Sequence, residues 1–444
     1  MNAVVSEACQ RYLDDFRQHQ DTLPGAHLPW LADLREQAWQ RFLSAGFPNL
    51  REEDWRYTSV APIEQGGFTL APAATAAVDA TRIEALALPD AHLLVFVDGR
   101  HAPALSRRTA LPTGVGISSL AEMLARQPEA IQAPLERVAR MKQDDSVFVA
   151  LNAACMVDGT CIQLAAGARL EAPIQLLFLA STAGLSRHSR NLVLAGADSS
   201  ATVVEHHAAL DAPQHFTTVV TDIVLGRSAK LEHHKLQQES RQGLHIAAIR
   251  AELAGDSHFA SSSFALGGAM ARADIHVALN GAGAGCTLDG LYLGDGRQHL
   301  DHHIRVDHRL PQGSSRALYK GVLGRTSRAV FDGKVIVHPG AQQTDASQIN
   351  RNLLLTEKAE IDTKPRLEIW ADDVKCSHGA TVGPLDAEQV FYLRSRGLDD
   401  ASARALLTHA FAAEMVQRVG LASLRERLDG LLHAWAAAAE EAAR

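Results

Sequence analysis

Cys376 and His378 stand two residues apart in the run Asp372-Asp373-Val374-Lys375-Cys376-Ser377-His378. On a β-strand that spacing puts both side chains on one face. A thiolate beside an imidazole makes a soft ligand pair for iron or an iron–sulfur cluster. A buried thiol next to a capping histidine is the other reading of the same residues. The chain holds 21 histidines, and three doublets follow an acidic residue: Glu205-His206-His207, Glu232-His233-His234 and Asp301-His302-His303. Neighbours on a strand point to opposite faces, so each doublet offers one ligand at most to either side. The first two doublets are 27 residues apart and could stack on adjacent turns of a repeat; the third is 69 residues further on and falls out of step. Satisfied core histidines or a surface ladder is the expected role. The run Gly281-Ala282-Gly283-Ala284-Gly285 has no Gly-Lys-Ser/Thr ending, so it reads as a turn and not as a phosphate loop. Neither a GxSxG elbow nor an HExxH helix occurs. These residues predict no catalysis.

The elements that must position these side chains follow from periodicity. From about Ser146, short apolar stretches alternate with small residues, and turn glycines fall at Gly196, Gly226, Gly255, Gly281, Gly313 and Gly340. Their spacing of 26 to 32 residues is that of a solenoid. The repeating unit is strand–turn–strand, so the expected fold is mainly β: a right-handed parallel β-helix flanked by helical regions. A β-sandwich with evenly spaced turns is the alternative. Three regions are expected: a helical and mixed region over 1–145, the β-helix over 146–383, and a helical domain over 384–444. In the first, Leu31, Leu34, Ala38 and Phe42 recur at helical spacing between Pro29 and Gly46. Ser118–Arg126 and Pro128–Met141 read as short helices, Leu93–Val97 as a strand ended by Asp98-Gly99, and 71–77 as an Ala-rich linker. In the last, Gly397 ends one helix and Asp399 or Asp400 caps the next. Leu406, Leu407, Ala410, Phe411, Met415 and Val419 form one apolar stripe; Leu421, Leu424, Leu428, Leu431, Leu432 and Trp435 form another. The stripes pack on each other or the solenoid, or leave a groove for a partner.

Composition narrows the class. A net charge of −8 gives no electrostatic footprint for nucleic acid or anionic membranes. No apolar run approaches the ~18–20 residues of a membrane span, and the N-terminus has no signal-peptide pattern. Five scattered cysteines without a CxxC pair predict free thiols in a reducing compartment, the cytoplasm.

The stretches ADDVKCSHGATVG (371–383) and EQVFYLRSRG (388–397) are long and specific, and GFPNLREEDWRYT (46–58) accompanies them. Together they resemble the SufB/SufD family of iron–sulfur cluster assembly subunits, over most of the chain and least between about 59 and 145. The SHGAT form with His378 is the SufD pattern. SufB has a cysteine implicated in cluster assembly after the Phe-Tyr of the second stretch; here Leu393 follows Phe391 and Tyr392, which argues against a role as primary scaffold.

The resemblance implies a non-catalytic subunit that pairs with SufB along the solenoid edge. It would hold the ATPase SufC through the helical region around 386–419, with Phe391, Tyr392, Leu407, Phe411 and Met415 as partner contacts. His378, and with it Cys376, would coordinate iron or the nascent cluster transiently at the SufB interface, with Asp372 orienting the imidazole. A tightly bound cofactor is not expected in the isolated chain; a flavin in the assembled complex stays open. In isolation the exposed edge also leaves a homodimer open, without deciding between it and the heterocomplex. Two rivals remain: a purely structural interaction subunit, and a β-helical carbohydrate-active enzyme using acidic residues on adjacent coils.

Overall fold

Alternating residues between Thr160 and Gly383 wind into eight coils, each made of two strands and two corners. The computed structural model describes residues 6–72, 77–139, 146–210 and 212–441. Coil 1 is Thr160–Leu164 with Ile174–Ala180, coil 2 Leu185–Ala195 with Ser200–Ala209, coil 3 Phe216–Leu225 with Lys230–Gln238, and coil 4 Leu244–Leu253 with His258–Ala265. Coil 5 is Met270–Leu279 with Gly285–Gly294, coil 6 His299–His308 with Ser314–Leu323, coil 7 Arg328–Val337 with Thr344–Leu354, and coil 8 Glu360–Ile369 with Val374–Gly383. The first strands of successive coils stack in parallel as one sheet and the second strands as another. The expected parallel β-solenoid is therefore the observed fold.

Period-2 alternation divides each strand between two environments. On the second sheet Val203, Leu231, Phe259, Leu288 and Tyr319 face the interior. Their neighbours Val204, Leu236, Phe264, Leu291, Val322 and Leu353 face out and meet the C-terminal helices. The outer face of the first sheet, through Leu192, Phe216, Leu244, Ile246 and Met270, is covered by Tyr12, Phe16, Trp39, Phe42, Trp55 and Phe148. The molecule is thus a solenoid between two helical layers, and each large side chain so buried contributes about 1.5–3 kcal/mol.

All six turn glycines lie at the corner from first to second sheet. The reason is not a left-handed backbone. That conformation falls instead on Asp198, Ser228, Asp256, Gln312 and Gln343, at φ values from 57° to 61°. Gly226 and Gly281 are needed for coil-to-coil contact: a Cβ on Gly226 would lie 2.7 Å from the Ala197 nitrogen, and one on Gly281 2.0 Å from the Gly255 nitrogen.

The N-terminal region supplies both helices and strands. Ser6 caps Glu7–His19, and Pro29–Ala45 ends at Gly46. Val115–Ser119 pairs antiparallel with coil 1 in the first sheet, and His92–Val97 extends the second sheet in parallel before a turn at Asp98 and Gly99. The 145/146 boundary and Met141 lie outside the described residues, as does most of the Ala-rich stretch. Helices Leu120–Arg126 and Pro128–Ala139 occupy the two predicted helical positions. Beyond 146, where strands are expected at once, Val147–Cys155 is a helix. It is buried on every side, so its sequence carries no amphipathic stripe to read.

Past the solenoid, Asp386 caps Ala387–Ser395, Asp399 rather than Asp400 caps Asp400–Gln417, and Ala422–Glu441 follows. Among the described residues no helix is long and apolar enough to cross a membrane.

Candidate functional site

The two ends of the solenoid differ. At coil 1 the strands Val115–Ser119 and His92–Val97 cover both sheet edges. At coil 8 each strand pairs only with coil 7, so among the described residues both outer edges are unpaired along ten-residue strands. A long bare edge invites another strand. Helix Ala387–Ser395, which follows directly, packs on Asp400–Gln417 and leaves these edges open. Large apolar side chains are exposed here: Trp370 at 66%, Val382 at 47% and Ile369 at 41%. Sequence reasoning missed these three; the Ile369-Trp370 doublet opening the last corner was the available signal.

Cys376 and His378 lie on this terminal strand, in register with Ala346 and Gln348 of coil 7. Ala346 belongs to the interior core, and Cys376 packs against that core half-buried, while His378 is exposed. Both therefore sit on the interior-facing side of the last coil, where the solenoid opens. Burial raises the Cys376 thiol above its usual pKa, which favours the protonated form over the ligating thiolate. Asp372 does not stand beside the imidazole. Asp372 and Asp373 form the corner, where Asp373 exchanges bonds with Gln342 and Gln343. The extended strand from Val374 to His378 alone then spans about 13 Å at 3.3 Å per residue.

The expected partner contacts divide. Phe391 and Tyr392 are exposed, at 73% and 57%, with Arg396 over the Tyr392 ring at 5.3 Å. Met415 is buried against the second sheet and is not available to a partner. Phe411 is half-buried and engaged internally, its ring 4.2 Å from Lys320 Nζ; Leu407 is half-buried as well. The stripe that looked free covers the outward residues Leu291, Val322 and Leu353, which need it.

The histidine doublets split inward and outward as alternation requires, but the first two are not stacked. Leu236 is opposite His206 and Val203 opposite His233, so the doublets are three residues out of register. Inside the solenoid, His207 stacks on Phe178 at 4.8 Å, and His302 on Tyr292 at 5.0 Å. Glu205 lies 3.4 Å from His207 Nε2 and 3.1 Å from His233 Nε2. Burial alone would raise its pKa, but these imidazoles hold the carboxyl well below the usual range. Glu239 is held likewise by His245 and His215, at 2.7 and 3.3 Å. Lys235 Nζ sits 2.8 Å from His245 Nε2, its pKa pushed by burial down to about 8. Among the described residues none of the doublets gathers three potential metal ligands. His207 and His233 pair with Glu205, His234 with Glu232 and His303 with Asp301, while His302 packs on the Tyr292 ring.

Outward-facing His303 belongs to the docking of the 46–58 segment. Its Nε2 is 3.0 Å from Asp301, which also accepts from Thr58 Oγ1 at 2.6 Å and Arg272 Nη1 at 2.9 Å. Arg272 donates in addition to the Asp54 carbonyl, and Glu53 meets Lys364 of coil 8. The polar run of the N-terminal motif is thus a clamp onto the first sheet.

Comparison with known proteins agrees with this architecture. The family model described as "SUF system FeS cluster assembly, SufBD core domain" matches residues 178–411, and "SufBD protein N-terminal region" matches 6–176. The chain is 35% identical over 410 residues to an iron–sulfur cluster assembly SufBD family protein of Synechocystis sp., covering 90% of this chain and 89% of that one. It is 35% identical over 401 residues to the iron–sulfur cluster assembly protein SufD of Escherichia coli, covering 88% and 90%. A chloroplastic protein of Arabidopsis thaliana is 28% identical over 414 residues, covering 91% and 86%. With both halves matched and the solenoid in place, the chain belongs to the SufBD family of iron–sulfur cluster assembly proteins and is SufD-like within it.

Proposed function

We propose that this chain is a non-catalytic subunit of a cytoplasmic cluster-assembly complex, pairing with a SufB-type partner through coil 8 and holding a SufC-type ATPase through its C-terminal helices. The observation that carries the pairing is the open end: two unpaired edges beside exposed Ile369, Trp370 and Val382. Strand addition satisfies the bare backbone groups and covers the apolar side chains together. The exposed Phe391 and Tyr392, on a helix that stands off the solenoid, are the ATPase contact.

At the junction His378 contributes a neutral imidazole to iron or the forming cluster, which is cargo and not a resident cofactor. Its exposure on the open face lets a second chain supply the remaining ligands. The raised thiol pKa of Cys376 favours a packing role for that residue instead.

The first test is the light-scattering mass of the chain co-expressed with its SufB and SufC counterparts. One assembly containing all three supports the reading; a chain that stays alone or pairs only with itself overturns it. In the assembled complex His378→Ala should lower iron and sulfide content with partners retained. Unchanged content with partners intact would leave a purely structural subunit.

A further inference from the structure

We propose that His409, Asp429 and His433 form a binding site for a divalent first-row transition metal ion on the C-terminal helix pair. His409 stands on Asp400–Gln417, while Asp429 and His433 are one turn apart on Ala422–Glu441. One potential ligand atom from each lies within 4.8 Å of the others. The two imidazole centroids are 4.3 Å apart, at 48°. Asp429 reaches both rings, with Oδ1 3.7 Å from His409 Nε2 and Oδ2 3.5 Å from His433 Nδ1.

Those carboxylate contacts are too long for good hydrogen bonds. Ligand atoms on a tetrahedral ion, with bonds of about 2.0–2.1 Å, stand ~3.4 Å apart. Side-chain rotations on the order of an ångström therefore close the set. The two histidines are also prepared for it. His409 Nε2 is a buried atom without a hydrogen-bond partner. His433 Nδ1 lies 2.8 Å from the Asp429 carbonyl oxygen. A bond donated there fixes the tautomer and leaves Nε2, not the Nδ1 that faces Asp429, as the ligand atom, so the His433 ring must turn to bring Nε2 toward Asp429 and His409.

Two imidazoles and a carboxylate suit zinc, cobalt, nickel or ferrous ions; calcium and magnesium take oxygen sets. Three protein ligands leave a coordination position facing solvent. The ion bridges two helices already seated on the second sheet by Met415, Leu428 and Leu432. The site shares no residue with the terminal coil and does not rest on the function proposed for it.

The untagged full-length chain is titrated with Zn²⁺ by calorimetry and with Co²⁺ by visible absorption. One saturable site per chain is expected, weakened by ~10-fold or more in His409→Ala and in His433→Ala. It is expected unchanged in His378→Ala and Cys376→Ser. Zn²⁺ should raise the melting temperature of the native chain but not of the two helix variants. Circular dichroism and sizing establish that these variants, changed at partly exposed positions, stay folded. No saturable binding, or binding that both helix variants retain, overturns the proposal.

Discussion

The Arg272 guanidinium lies over the Trp55 ring, 3.8 Å from carbon to centroid, and joins the N-terminal motif to the fifth coil. The same group pairs with Asp274 and Asp301, both within 2.9 Å, and donates to the Asp54 carbonyl. It is buried together with Asp301. Removing the cation leaves a buried carboxylate short of a partner and an aromatic face without its ion. Arg272→Ala should destabilise the chain by about 3–5 kcal/mol. Arg272→Lys should recover only part, because an ammonium lacks the planar fork. Urea denaturation measures the first effect, and faster hydrogen exchange confined at first to 46–58 localises it.

Acid sensitivity follows from the same cluster. Burial would raise the Asp301 pKa, but His303 and Arg272 outweigh it and hold the carboxyl far below the carboxylate range. A depressed folded value contributes stability above the unfolded pKa of about 3.9, and this is lost as pH falls through the folded value. Glu205 and Glu239 act in the same direction. Melting temperature should therefore fall steeply below about pH 5. In Asp301→Asn the neutral-pH stability should be lower and this acid limb flatter. An acid limb as steep as that of the native chain would remove Asp301 from the account.

Coils 5 and 6 interlock through two tyrosine–glycine contacts. Tyr292 is in register with Gly321, and Tyr319 with Gly290. A Cβ on either glycine would lie 2.1 Å from the facing ring. Gly321→Ala should cost about 1–3 kcal/mol or more by overpacking. Adding Tyr292→Leu should be non-additive, because it removes the ring from the contested space, where only Asn352 Oδ1, 2.5 Å from the same Cβ, remains. Chemical denaturation of the single and double variants measures the coupling; additive costs would mean that the contact relaxes without strain.

Thiol reactivity should rank by exposure. Cys9, Cys155, Cys161 and Cys286 are buried, and burial pushes the Cys161 and Cys286 thiols up to about 12. Cys376 alone is half-buried. Iodoacetamide should label Cys376 first in the native chain, slowly because its thiol is raised as well, and mass spectrometry should find the other four protected until unfolding. Early labelling of any of those four would contradict the packing.

The sequence by itself determined the solenoid, because a corner that repeats at near-constant spacing must recur wherever coils stack closely. Gly226 and Gly281 could be read as turns without knowing that their reason is contact between coils. The shared face of Cys376 and His378 was legible too, since strand alternation is local. What only tertiary structure decided was which outward faces find cover. Met415 looked as available as Phe391, yet the second sheet buries one and leaves the other exposed. Asp372 looked adjacent to His378, yet it lies in the corner and a stretch of extended strand separates the two. Helix Val147–Cys155 escaped notice because burial on all sides erases periodicity. The histidine doublets show the same limit: their spacing of 27 suggested stacking, but coil length varies with its corners, and a three-residue offset is set only when the strands pair.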